Sequence, residues 1–123
     1  MRILVCDDHD SIRGMIETLV SASGHEVVGV ATGAKAVELA LTGRFDVLLL
    51  DLMIPQLDGF DVCARLRGED ATRELPIFII SAMDDPATRE RVKKIGATAF
   101  YAKPFNSKEL LDNIGRYAPN QGS

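Results

Sequence analysis

Val47-Leu48-Leu49-Leu50 leaves the chain few folds to choose from. Four branched apolar residues in a row, bounded by Asp46 and Asp51 with Pro55 soon after, read as a short strand buried on both faces. A strand with no polar face needs covering on each side, and helical crossovers between parallel strands supply that cover. Asp51 then stands at the carboxyl end of the strand, where open parallel sheets bind their ligands.

The rest of the sequence repeats the pattern. Arg2 to Cys6 is an apolar strand stopping at Asp7-Asp8, and Asp10 or Ser11 is the expected N-cap of a helix carrying Ile12, Met15, Ile16, Leu19 and Val20 up to Gly24. Val27, Val28 and Val30 form a second strand, and Val37, Ala40 and Leu41 a second helix closed by Gly43. After the central strand, the turn-rich loop Pro55-Gln56-Leu57-Asp58-Gly59 leads to a helix with Val62 and Leu66, then a polar loop from Glu69 to Glu74. Pro76 introduces Ile77-Phe78-Ile79-Ile80, which stops at Ser81. Asp84 or Asp85 with Pro86 starts a helix carrying Val92 and Ile95 and ending at Gly96. Ala99 to Ala102 is the fifth strand, ended by Lys103-Pro104, and Asn106 with Glu109 makes a capping box for a last helix carrying Leu110, Leu111 and Ile114. Five strands alternating with five helices predict an α/β domain around a parallel sheet with right-handed crossovers.

Composition fits this reading. With 123 residues, 46% of them hydrophobic, the chain can fill one core, and a net charge of −4 gives no support to direct nucleic-acid binding. Cys6 and Cys63 form no CxxC motif and are expected to be reduced packing residues. Ile3 to Cys6 is too short for a secretory signal, and no apolar run approaches the roughly 20 residues of a membrane helix, so the expected location is cytoplasmic.

The polar strand ends carry the chemistry. Asp7 and Asp8, Asp51, Ser81 and Lys103 all fall on one edge of such a sheet. Three carboxylates about 4 Å apart repel by roughly 4 kcal/mol per pair at an effective dielectric near 20. Such a cluster takes up protons or holds a cation, and a small hard divalent ion, Mg²⁺ by default, suits oxygen ligands. A free carboxylate beside that ion and an ammonium group could attack phosphorus, with the charge spread over ion and ammonium.

Asp7-Asp8, Asp51 followed by Pro55 and Asp58-Gly59, Ser81-Ala82 and Lys103-Pro104-Phe105 together resemble the receiver domain of bacterial two-component response regulators, over about residues 2 to 117. The resemblance implies a flavodoxin-like (βα)5 three-layer sandwich with strand order 2-1-3-4-5. It implies that Asp51 is phosphorylated by a sensor histidine kinase or phosphotransfer protein. Asp8 would bind Mg²⁺ directly, Asp7 largely through a water, and the Met53 carbonyl would be a further ligand. Ser81, Lys103 and the Ala82 N–H would contact the phosphoryl group, and the bond before Pro104 would be cis. Phe100 stands at the family's switching aromatic, coupled to Ser81 and to a partner surface of the fourth helix, fifth strand and fifth helix, for which Arg89, Lys93, Tyr101 and Lys108 are the candidates. Met53 and Met83 fill the two variable positions that in the family influence how water reaches the aspartyl phosphate, and a thioether orients water poorly. His9 and Arg13, near the acidic corner, receive no chemical role.

A signalling module with no external substrate is therefore expected. The alternatives are a Mg²⁺-dependent phosphohydrolase with an aspartyl-phosphate intermediate and a phosphorylation-independent interaction module. The haloacid dehalogenase-like phosphohydrolases need Asp-x-Asp after the first strand, where this chain has adjacent Asp7-Asp8. An interaction-only receiver usually lacks one of the five polar residues, and all are present. Residues 1–118 read as the receiver domain and 119–123 as a polar tail or the start of a linker. No effector segment follows, so a stand-alone protein and a domain of a longer regulator both remain open, as a monomer or a phosphorylation-dependent dimer.

Overall fold

In the computed structural model, which describes residues 1–117, the elements run β1 (Arg2–Cys6), α1 (Asp10–Ala22), β2 (Glu26–Val30), α2 (Gly33–Ala40), β3 (Val47–Leu50), α3 (Gly59–Arg67), β4 (Ile77–Ser81), α4 (Pro86–Lys94), β5 (Ala99–Ala102) and α5 (Ser107–Gly115). The strands are all parallel, in the flavodoxin-like order β2-β1-β3-β4-β5. The tail at 119–123 lies outside the described residues.

Strand alternation sorts the apolar residues into two cores. Leu4, Cys6, Leu48, Leu50, Ile77 and Ile79 face Ala36 and Val37 of α2, Val62 and Leu66 of α3 and Val92 of α4. Ile3, Val5, Val47, Leu49, Phe78 and Ile80 face Ile16 and Val20 of α1 and Leu110 and Ile114 of α5. The sheet is thus the middle of three layers. All four residues of β3 are buried, each stabilising the fold by roughly 1.5–3 kcal/mol relative to exposure.

Four helices carry side-chain caps, with Thr32, Asp58, Asp85 and Asn106 accepting a bond from the backbone N–H three residues on; the sequence reading named the last two of these starts. Helix α1 departs from the expectation. Its N-cap is His9, with no side-chain cap, and Asp10 is already helical. Asp10 instead holds Arg13 at 2.7 Å, while the Asp7 carboxylate accepts the His9 N–H at 2.9 Å. The Glu69–Glu74 loop is also less solvated than its composition suggests. Thr72 is buried and donates its hydroxyl to the Leu66 carbonyl, and Arg67 donates to the carbonyls of Thr72 and Arg73.

The loop after β3 is clasped from below. The Gly33 N–H donates to the Pro55 carbonyl at 3.1 Å, and a Cβ on Gly33 would stand 1.9 Å from the Leu57 carbonyl oxygen. Gly33→Ala is therefore expected to lower the unfolding free energy by about 1–3 kcal/mol, the usual cost of overpacking. Urea denaturation measures it, and an unchanged midpoint would show that the loop yields freely.

Candidate functional site

The backbone fixes the strand ends before any side chain is considered. The Asp7 N–H donates to the Val30 carbonyl at 3.1 Å, Asp51 N–H to Cys6 at 3.0 Å, and Lys103 N–H to Ser81 at 3.0 Å. Each bond extends a parallel ladder one residue past its strand, so Asp7, Asp51 and Lys103 are held as firmly as the sheet itself. Ser81 closes β4 opposite Ala102, and the Lys103-Pro104 bond is cis.

The side chains converge accordingly. The Lys103 ammonium donates to Asp7 Oδ2 and to Asp51 Oδ2, both at 2.9 Å. Asp7 and Asp51 are only 2% and 3% exposed. The free oxygen of each has its own donor: His9 N–H reaches Asp7 Oδ1 at 2.9 Å, and Met53 N–H reaches Asp51 Oδ1 at 3.1 Å. Ser81 is buried, its hydroxyl accepting from Met83 N–H at 3.2 Å, and Ala82 follows on the exposed rim. Asp8 lies at the open side of the cluster. Of the five polar strand-end residues predicted to meet, Asp7, Asp8, Asp51 and Lys103 share one corner, and Ser81 ends the neighbouring strand with its carbonyl on the Lys103 N–H.

With the pocket so assembled, comparison with known proteins decides the family. The sequence matches the response regulator receiver domain over residues 3–115. The chain belongs to that family. The probable transcriptional regulator ycf27 of Cyanophora paradoxa is 40% identical over 113 residues, which are 92% of this chain and 46% of that protein. The chain thus spans about half the length of the curated relatives it matches. Among solved structures, chemotaxis protein CheY4 of Vibrio cholerae superposes with a TM-score of 0.86 at 32% identity, covering 95% of this chain and 98% of that one. The receiver domain of the sensor histidine kinase PA1611 from Pseudomonas aeruginosa, with a magnesium ion coordinated in its active site cleft, gives 0.87 at 31% identity, covering 94% and 95%.

In this receiver domain the acidic corner carries more charge than its lysine neutralises. Asp7, Asp8 and Asp51 bring three negative charges and Lys103 one positive, leaving two to be met, the charge of a divalent cation. One ligand atom from each of Asp7, Asp8, His9 and Asp51 lies within 4.8 Å of the others, and the carboxylates are hard oxygen donors that fit Mg²⁺. The negative field is felt nearby. Burial first, then the charges of Asp7, Asp51 and Asp8, push the Cys6 thiol up to about 12, so it stays protonated and unreactive. Burial draws the Lys103 ammonium down, but its bonds to Asp7 and Asp51 and their charges more than reverse this and hold it above the ordinary lysine value.

Three residues at the corner were not given roles from the sequence. Arg13 donates from Nη1 to the Asp7 carbonyl at 2.9 Å, bracing the turn that carries both N-terminal carboxylates. His9 places Nδ1 3.3 Å from Asp8 Oδ1 and 3.4 Å from Asp7 Oδ1. Arg91 stacks on the Phe60 ring at 3.8 Å and lines the same open cleft as Asp8, His9, Met53 and Met83. For His9 the adjacency to Asp7-Asp8 was a usable signal; Arg91 comes from α4 and only the fold brings it there.

Phe100 is half-buried against the α2–α4 core, under the Arg89 guanidinium at 4.6 Å. Tyr101 points to the other core, its ring 6.0 Å from Phe78 and its hydroxyl bonded by Asn113. The proposed partner residues therefore divide: Arg89 and Lys93 border a groove with Phe100, while Lys108 on α5 pairs with Asp112.

Proposed function

We propose that Asp51 accepts a phosphoryl group from a phosphohistidine of a sensor histidine kinase or phosphotransfer protein. One carboxylate oxygen attacks phosphorus; a P–O bond forms as the P–N bond breaks, and the imidazole leaves with its proton. Asp8, Asp7, Asp51 and the Met53 carbonyl would hold Mg²⁺, which when bound supplies positive charge against the phosphoryl oxygens. Lys103 already spans Asp7 and Asp51, so its ammonium is in place to follow the transferred group. Ser81 and the Ala82 N–H supply further donors.

A new charge of about −2 beside Lys103 and the Ser81 hydroxyl biases the packing of Phe100 and the surface of α4, β5 and α5. That surface would meet a downstream protein or a linked effector domain, as a monomer or as a phosphorylation-dependent dimer. On this reading the domain occupies residues 1–118, works in the cytoplasm, binds no nucleic acid itself, and turns over no external substrate. Among the described residues no helix is long and apolar enough to cross a membrane.

The observation carrying the reading is the Lys103 ammonium shared at 2.9 Å by two buried carboxylates on different strands. Acetyl phosphate with Mg²⁺ is expected to add one phosphoryl mass to the wild type and none to Asp51→Asn, read by intact mass spectrometry. Addition to both, or multiple turnover of a small aryl phosphate by the wild type, would overturn it.

A further inference from the structure

Building on the reading of Asp51 as the phosphoryl acceptor, we propose that Met53 is a redox modification site, whose oxidation to the sulfoxide shortens the life of the Asp51 phosphate. Four methionines and two cysteines carry the chain's sulfur, and the fold shields them unequally. Cys6 and Cys63 are buried, at 1% and 0% exposure, and Met1 and Met83 are half-buried. Met53 and Met15 are the exposed ones, at 61% and 52%. Oxidation follows exposure, so a peroxide meets these two thioethers before it meets a thiol. The two stand in different places. Met15 is on α1 and lines no part of the cleft formed by Asp8, Met53, Met83 and Arg91. Met53 is tied to the acceptor itself, its N–H donating to Asp51 Oδ1 at 3.1 Å. Its neighbours Leu52 and Ile54 are buried, and the Leu52 carbonyl accepts the Gly59 N–H at 2.9 Å. The backbone is thus fixed on both sides while the thioether stays in solvent.

With hydrogen peroxide as oxidant, the Met53 sulfur attacks one peroxide oxygen, and an S–O bond forms as the O–O bond breaks. Sulfur gives up two electrons, and the departing hydroxide takes the proton of the transferred oxygen and leaves as water. The product changes what the side chain does. A thioether is a weak hydrogen-bond acceptor. The sulfoxide places a polar S=O at the same position, in a cleft already open to solvent. It holds a water beside Asp51 for attack on phosphorus, as a positioned amide does. Because the side chain is exposed, the larger polar group displaces no core contact. Enzymatic reduction returns the thioether, so the modification is reversible.

The test treats the protein with dilute hydrogen peroxide, maps the oxidised residues by peptide mass spectrometry, and then phosphorylates with acetyl phosphate and Mg²⁺. Decay of the phosphoprotein after donor removal is compared with and without peroxide, each variant serving as its own reference. One added oxygen is expected at Met53 and one at Met15, with both thiols unmodified. Peroxide should speed decay about 10-fold in the wild type and in Met15→Leu, an orientation effect below the roughly 10²–10⁴ of a positioned acid or base. Met53→Leu, with no sulfur to oxidise at that position, should decay at the same rate before and after peroxide. Methionine sulfoxide reductases added after peroxide should restore the slow decay of the wild type. The proposal is overturned if Met15 is oxidised and Met53 is not, if oxidised wild type decays no faster than untreated, or if Met53→Leu responds to peroxide as the wild type does. Phosphoryl addition to the untreated protein separates the two readings. No added phosphoryl mass there removes both, whereas phosphorylation followed by a peroxide-insensitive decay removes the Met53 proposal alone.

Discussion

Lys103→Met is expected to lower the unfolding free energy by about 3–5 kcal/mol at neutral pH, because it leaves two buried carboxylates without the cation they share. Methionine keeps most of the length of the side chain, one atom short of lysine, so the loss measures charge more than packing. Mg²⁺ meets the same excess charge and should therefore raise the stability of the variant more than that of the wild type. The alkaline limb gives an independent check. The folded-state pKa of Lys103 stands above its ordinary value of 10.5. Its contribution is therefore complete below about 10.5, the unfolded value, and is lost as pH rises through the higher folded value. Denaturation midpoints against pH should show this loss in the wild type and not in Lys103→Met. A variant as stable as the wild type, with the same alkaline profile, would mean that Lys103 is not the counter-ion of Asp7 and Asp51. The variant should also accept phosphoryl far more slowly from acetyl phosphate.

The phosphoryl group, once on Asp51, is expected to be long-lived, and Met53→Asn combined with Met83→Glu should hasten its loss by roughly 10- to 100-fold. Met53 is 61% exposed, and with Met83 it borders the open cleft beside Asp8, so solvent has a way in. A thioether is a weak acceptor and cannot aim a water at phosphorus. An amide and a carboxylate can, and placed bases or orienting groups contribute typically 10²–10⁴-fold in rate, so the lower end is appropriate to orientation alone. Decay of the phosphoprotein after removal of the donor measures the effect. An equal or slower decay in the double variant would show that water access is governed elsewhere.

The frame of the site was legible because it is built from the backbone. A run such as Val47–Leu50 has to be a strand covered on both faces, and the residue that ends each strand of a parallel sheet has to lie on one edge. Asp7, Asp51, Ser81 and Lys103 needed nothing more to be placed together. Side-chain partners that cross between layers left no such trace. Arg91 over Phe60 joins α4 to α3, and no spacing in either helix announces the pair. The cap of α1 was misread for a local reason: Asp10 and Ser11 are both good N-caps, but Asp7 had already secured the His9 N–H and Arg13 had drawn Asp10 outward. Tyr101 and Phe100 were separable by alternation, yet which core received which depended on β5 registering Ile79 against Phe100.

Borohydride reduction of the acetyl phosphate-treated protein, followed by peptide mapping, locates the acyl phosphate directly by converting the modified aspartate to homoserine. A single homoserine at position 51 is the predicted result. Homoserine at Asp7 or Asp8, or none at all, would contradict the assignment of the pocket at the ends of β1, β3, β4 and β5 as a phosphoryl-accepting site centred on Asp51.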